Sequence, residues 1–163
     1  MKRLAIVLLA GAVLVAIPVY GQDAGKTSAD TNMEIFIQKV KADKKLLVAT
    51  NMDLTDAESK AFWPLYEAYQ KELEQLNQRL GKTINAYADA YEQGKGMIPN
   101  DTAKKLLNEA LTTQEAEVKL KRTYANKIGK VLPATKTARY IQIENKIRAL
   151  VNFELARAIP LVF

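Results

Sequence analysis

Residues 54–91 read LTDAESKAFWPLYEAYQKELEQLNQRLGKTINAYADAY, and this stretch decides the fold. Apolar or aromatic side chains recur at Phe62, Leu65, Tyr66, Tyr69, Leu73, Leu76, Leu80, Ile84, Tyr87 and Tyr91. Gaps of three and four place them along one side of an α-helix. Lys60, Glu67, Lys71, Glu74, Gln78, Lys82 and Asp89 fall on the other side and belong in water. The start is written into Leu54-Thr55-Asp56-Ala57-Glu58. The Thr55 hydroxyl can accept from the Glu58 N–H while the Glu58 carboxylate accepts from the Thr55 N–H. At 1.5 Å per residue such a helix runs roughly 55 Å, long enough to be a spine on which other helices lie.

Pro64 sits inside this pattern, where its missing N–H and its ring predict a kink or a break near residues 60–63. Phe62, Trp63, Tyr66 and Leu73 are the expected core anchors. The competing reading of the Phe62–Tyr66 run is an exposed aromatic patch for a ligand.

Working outward, residues 92–100 (EQGKGMIPN) hold two glycines and a proline, which end the spine and reverse the chain. Asn100 or Asp101 is the expected cap of a third helix running to about Val131. Its apolar stripe is read as Ala103, Leu106, Leu107, Ala110, Leu111, Gln114, Val118, Tyr124, Ile128 and Val131. Pro133 then starts a fourth helix whose stripe is Tyr140, Ile143, Ile147, Leu150, Val151 and Leu155, stopped by Pro160. Upstream, a basic first helix is expected from about residues 30–32 to Ala49, with residues 51–53 as a turn. No strand pattern occurs. The expected architecture is all-α: an elongated antiparallel hairpin with flanking N- and C-terminal helices, about four helices in all. A long hairpin has a thin core and leaves apolar surface uncovered, so a homodimer is expected.

Lys2 and Arg3 precede an almost wholly apolar run from Leu4 to Val19. This pattern predicts an export signal over residues 1–21, cleaved after Gly21, with an uncleaved anchor as the alternative. Residues 22–31 form a polar lead-in, 32–159 one domain and 160–163 an apolar tail. Export places the protein in the periplasm and makes nucleic acid an unlikely partner. The chain has neither Cys nor His. Disulfides, thiolate or imidazole metal sites and Cys/His catalysis are thereby excluded, which weighs against an enzyme. No cofactor is expected.

Charge is uneven. Residues 22–100 carry 10 Lys/Arg against 12 Asp/Glu, and residues 101–163 carry 12 against 6. Such asymmetry points to an interaction face for acidic protein segments or anionic lipid head groups. Lys119, Arg122, Lys127 and Arg139, interleaved with Tyr124, Ile128 and Tyr140, are the candidate residues for binding protein clients. The plainer reading of this run is a solvated helical face. Glu144, amid apolar neighbours, is expected to pair with Arg139, Arg148 or a basic residue of the third helix.

The order of signal segment, basic helix, Leu54-Thr55-x-x-Glu58, long hairpin, Leu132-Pro133 turn and last helix resembles the Spy/CpxP-like family of periplasmic proteins, also known by its LTxxQ motif. The resemblance covers the layout of residues 32–158. Leu54 and Thr55 match the motif, Glu58 replaces its Gln, and at the second motif position, residues 132–136, only Leu132 is kept. The resemblance implies a hairpin that dimerises into a cradle. It also implies either ATP-independent binding of non-native proteins during envelope stress, or a regulatory adaptor that binds the sensor domain of an envelope stress kinase. Metal-responsive relatives use His-rich segments, which this chain lacks.

Overall fold

The computed structural model describes residues 43–162. The expected export signal, the expected lead-in and the beginning of the expected first helix lie outside the described residues. The fold is all-α, and no strand occurs among the described residues. The helices are α1 over the described residues 43–52, α2 at Asp56–Gln93, α3 at Asn100–Ile128 and α4 at Ala134–Ala158. The described chain forms two compact units, residues 43–53 with 143–158 and residues 54–142 with 159–162. One continuous helix, α4, contributes to both.

In the larger unit, α2 opens as its sequence requires. The Thr55 hydroxyl accepts from Glu58 N at 3.3 Å, and Glu58 Oε2 accepts from Thr55 N at 2.8 Å. The same oxygen accepts from Lys136 Nζ at 2.7 Å, joining the start of α2 to the start of α4. That ammonium, and then the Thr55 N–H, hold the Glu58 carboxyl below its ordinary value. α2 runs unbroken through Pro64. The expected break is absent because the orphaned carbonyl of Lys60 lies one turn from the helix start, on a side open to water.

α2 ends in a Schellman motif. Gly96 N donates to Tyr91 O at 2.8 Å and Lys95 N to Glu92 O at 3.2 Å. The left-handed position is taken by Lys95, at φ 53°, and the next residue, Gly96, has φ 96°. Gly94 is needed for space: a Cβ there would stand 1.8 Å from the Met97 carbonyl oxygen. The expected side-chain cap of α3 does not form. Pro99 is the N-cap, and its carbonyl accepts from Ala103 N at 2.9 Å. Pro133 plays the same part for α4, accepting from Thr137 N at 3.0 Å, so it precedes the helix instead of occupying its first position. Thr137 Oγ1 is buried without a hydrogen-bond partner among the described residues.

α2 and α3 pack antiparallel, with Glu72 meeting Tyr124 and Arg79 meeting Glu109. At the base of this hairpin the first turns of α4 add a third wall. Phe62, Tyr66, Tyr69 and Leu73 from α2 are buried there, as are Leu120, Tyr124 and Ile128 from α3, together with Leu132 and Tyr140. Their rings meet edge to face: Phe62–Tyr140 at 5.1 Å, Tyr69–Tyr124 at 5.4 Å and Tyr69–Tyr140 at 6.1 Å between centroids. Trp63 is half-buried against Phe62 and donates its indole N–H to Ser59 Oγ at 2.9 Å. The anchors expected at Phe62, Tyr66 and Leu73 are therefore core residues, and Trp63 sits at the edge of that core.

In the smaller unit, Val48 and Met52 of α1 are buried. The helix runs through Met52, past the expected end at Ala49, and the turn is 53–55, with Asp53 at φ 47°. Lys44 Nζ meets Glu144 Oε2 at 2.8 Å, and the Glu144 side chain is 3% exposed. The expectation of a basic partner for Glu144 holds, and α1 supplies one in Lys44.

Candidate functional site

The seven residues expected to bind clients divide cleanly. Lys119, Arg122, Lys127 and Arg139 are exposed. Tyr124 is buried at 2% exposure, and Ile128 and Tyr140 at 0%, so these three are corrected to core residues. The reason is their position on the helix. Thr113, Leu120, Tyr124 and Ile128 follow each other by seven, four and four residues and face α2. The Tyr124 hydroxyl donates to Glu72 Oε1 at 2.5 Å, and Lys127 Nζ lies 4.3 Å from the ring centroid. Burial, then the hydrogen bond to Glu72, push the Tyr124 phenol up to about 12. Tyr140 receives a hydrogen bond from Gln70 Nε2 at 3.3 Å.

The apolar side chains that stay outside are different ones. Leu107 is 61% exposed, Leu111 47% and Val118 59%. These three were expected in the inward stripe. At about 100° per residue they share one line on α3, roughly 125° round from the buried line of Thr113, Leu120, Tyr124 and Ile128. α3 therefore carries two apolar stripes, one facing inward and one outward. Lys104 and Arg122 border the outer stripe on one side, at the same angle, and Lys119 and Lys105 stand further round on that side, all exposed. A shallow furrow lined by Asp101, Lys104, Lys105, Leu107, Asn108 and Leu111 runs along its first half.

The inward face of this part of the hairpin is unusually polar. Thr83 and Thr113 are buried, and each hydroxyl donates to the carbonyl four residues earlier, Thr83 to Arg79 at 3.1 Å and Thr113 to Glu109 at 2.9 Å. The Arg79 guanidinium grips Glu109 through two hydrogen bonds, Nε to Oε1 and Nη2 to Oε2, the latter at 3.0 Å. This partner holds the Glu109 carboxyl below its ordinary value and raises Arg79. The Tyr87 hydroxyl donates to the Pro160 carbonyl at 2.7 Å, which brings the C-terminal tail back to α2. Burial raises the Tyr87 phenol.

Among the described residues no group of His, Cys, Asp or Glu is placed to hold a metal ion. No described helix is long and apolar enough to cross a membrane. No family model, curated protein or solved structure matches the chain. The outer stripe of α3 was legible in principle, since angular bookkeeping along residues 100–128 separates two apolar lines. It was hidden because Thr113 did not count as an inward residue.

Proposed function

We propose that this protein is an exported, ATP-independent chaperone-like protein that holds non-native polypeptides and limits their aggregation under envelope stress. The observation that carries the reading is the outer stripe of Leu107, Leu111 and Val118 set among Lys104, Lys105, Lys119 and Arg122. Exposed aliphatic groups attract the apolar segments that unfolding uncovers. Neighbouring cations keep the surface wet, steer acidic clients and hold the attraction short of irreversible burial. Affinity for any one segment is then modest, which suits capture and release without nucleotide. The layout resemblance to Spy/CpxP-like proteins supports the same reading.

Aggregation of a denatured model protein, followed by light scattering without nucleotide, tests it. The parent protein should suppress scattering near stoichiometric amounts. The triple variant Leu107→Ser/Leu111→Ser/Val118→Ser should lose most of that suppression while keeping its helical circular dichroism, because all three side chains face water. Full suppression by the folded triple variant would remove this stripe from the reading. Recovery of one tight partner from a periplasmic extract, in place of many weak ones, would favour the adaptor that binds a sensor kinase.

A further inference from the structure

The second half of α4 carries another line of exposed residues, spaced differently from the face that is covered. Glu144, paired with Lys44, is buried on one side, with Ile147, Val151 and Leu155 half-buried near it. On the opposite side stand Lys146, Leu150, Phe153 and Arg157, at intervals of four, three and four residues. At about 100° per residue they fall within an arc of about 60°. Leu150 is 66% exposed and Phe153 60% exposed. Arg157 lies with its guanidinium carbon 5.8 Å from the Phe153 ring centroid and hydrogen-bonds Glu154 at 3.4 Å.

We propose that this face of α4, formed by Lys146, Leu150, Phe153 and Arg157, docks on an anionic lipid surface. The order along the helix is cation, apolar, apolar, cation. Laid flat on a bilayer, Leu150 and Phe153 enter the boundary between head groups and acyl chains. Lys146 and Arg157 stay among the phosphates at either end. The carboxylates of this segment do not cancel the attraction. Glu144 is buried on the far side in its ion pair, while Glu154 stands about 70° from the centre of the line and takes up part of the charge of Arg157, so Lys146 carries the larger share. Charge thus selects an anionic surface over a neutral one. The apolar pair is too small to hold the protein permanently, so binding is reversible and salt-dependent. The proposal stands apart from the client-binding reading, which rests on α3.

The chain has no Cys, so a single introduced thiol can be labelled cleanly. Ala149→Cys places an environment-sensitive dye beside the stripe, and Thr112→Cys places the same dye on an exposed position of α3 as control. The full chain is mixed with vesicles of neutral phosphatidylcholine, or with vesicles holding about a third phosphatidylglycerol. The dye at position 149 should blue-shift on the anionic vesicles alone, while the dye at 112 stays unchanged. This local readout is independent of any anchoring by residues 4–19. Raising salt, or Lys146→Glu with Arg157→Glu, should weaken the apparent partitioning by at least about tenfold, given the attraction of each cation near such a surface. Leu150→Ser with Phe153→Ser should abolish the shift at unchanged helical content. Equal shifts on neutral vesicles, no shift on anionic ones, or wild-type behaviour of the folded charge variant would each overturn the proposal. A shift produced by poly-glutamate but not by anionic vesicles would assign the face to an acidic protein instead.

Discussion

The base of the α2–α3 hairpin and its distal arm are built from the same two helices, yet they are held by different physics. At the base a third helical segment closes the gap between two cylinders, so side chains can be enclosed on all sides. Phe62, Tyr69, Tyr124, Ile128 and Tyr140 are almost wholly removed from water there. In the arm two helices meet along a line, and the C-terminal tail touches α2 there at Tyr87 through the Pro160 carbonyl. Burial is then confined to Thr83, Ile84 and Thr113, with Ile98 at the tip. The pair Arg79–Glu109 fixes the register across that line. What the arm gives up in packing it keeps as outward-facing Leu107, Leu111 and Val118. The lesson is that an amphipathic helix leaves apolar side chains in water where its neighbours run out.

The largest effects should come from the base. Phe62→Ala removes a ring at 0% exposure from a three-walled core and should cost about 3–5 kcal/mol in denaturant unfolding. Ile84→Ala, in the arm, should cost nearer 2 kcal/mol, because a two-helix interface can relax around the gap. Similar costs would erase the difference between base and arm. Next comes the tip. Gly94→Ala forces a methyl group against the Met97 carbonyl and should cost about 1–3 kcal/mol, with the loss concentrated in amide exchange of residues 84–107.

Tyr124→Phe should be milder, about 1 kcal/mol, since exposed Glu72 regains water when the hydrogen bond is lost. It also carries a pH signature. Because burial pushes the folded phenol up to about 12 from its ordinary value of 10, its contribution is whole below about pH 10 and drains away between about pH 10 and 12. Tyr124→Phe should flatten that alkaline fall in melting temperature. The smallest effect is expected at the arm's ion pair. The Glu109 carboxyl is held low by Arg79, so its contribution is present above the ordinary value of 4.5 and is lost as pH falls through the depressed range. Glu109→Gln should remove a slight acid-side loss of protection in arm amides. Glu58, lowered by Lys136, gives the base an acid dependence of its own, so the variant assigns the effect where a pH profile alone would not.

Local chemistry was the readable part of this molecule. The capping box at Thr55 and Glu58, the inward stripe of α2 and the glycine-rich reversal all follow from residues within one or two turns of each other. What escaped the sequence is what depends on a partner far along the chain. Tyr124, Ile128 and Tyr140 sit among lysines in the sequence, and only the packing of α3 and α4 on α2 shows that the rings point inward while the charges point out. Glu144 finds Lys44 one hundred residues away. Thr113 is buried at little cost because Glu109 O accepts its hydroxyl, an option that hydropathy alone does not register. Met52 is buried although it stands next to a turn, beyond the reach of periodicity.

One oxygen at the base has a bearing on how the protein folds. Glu58 Oε2 serves the backbone of Thr55 and the ammonium of Lys136, which is 78 residues further on. The first of these bonds needs only one turn of α2 and can close before the second. The young helix then carries a negatively charged seat, already shaped, for a lysine that arrives from far along the chain. Local initiation and long-range closure are linked through a single atom.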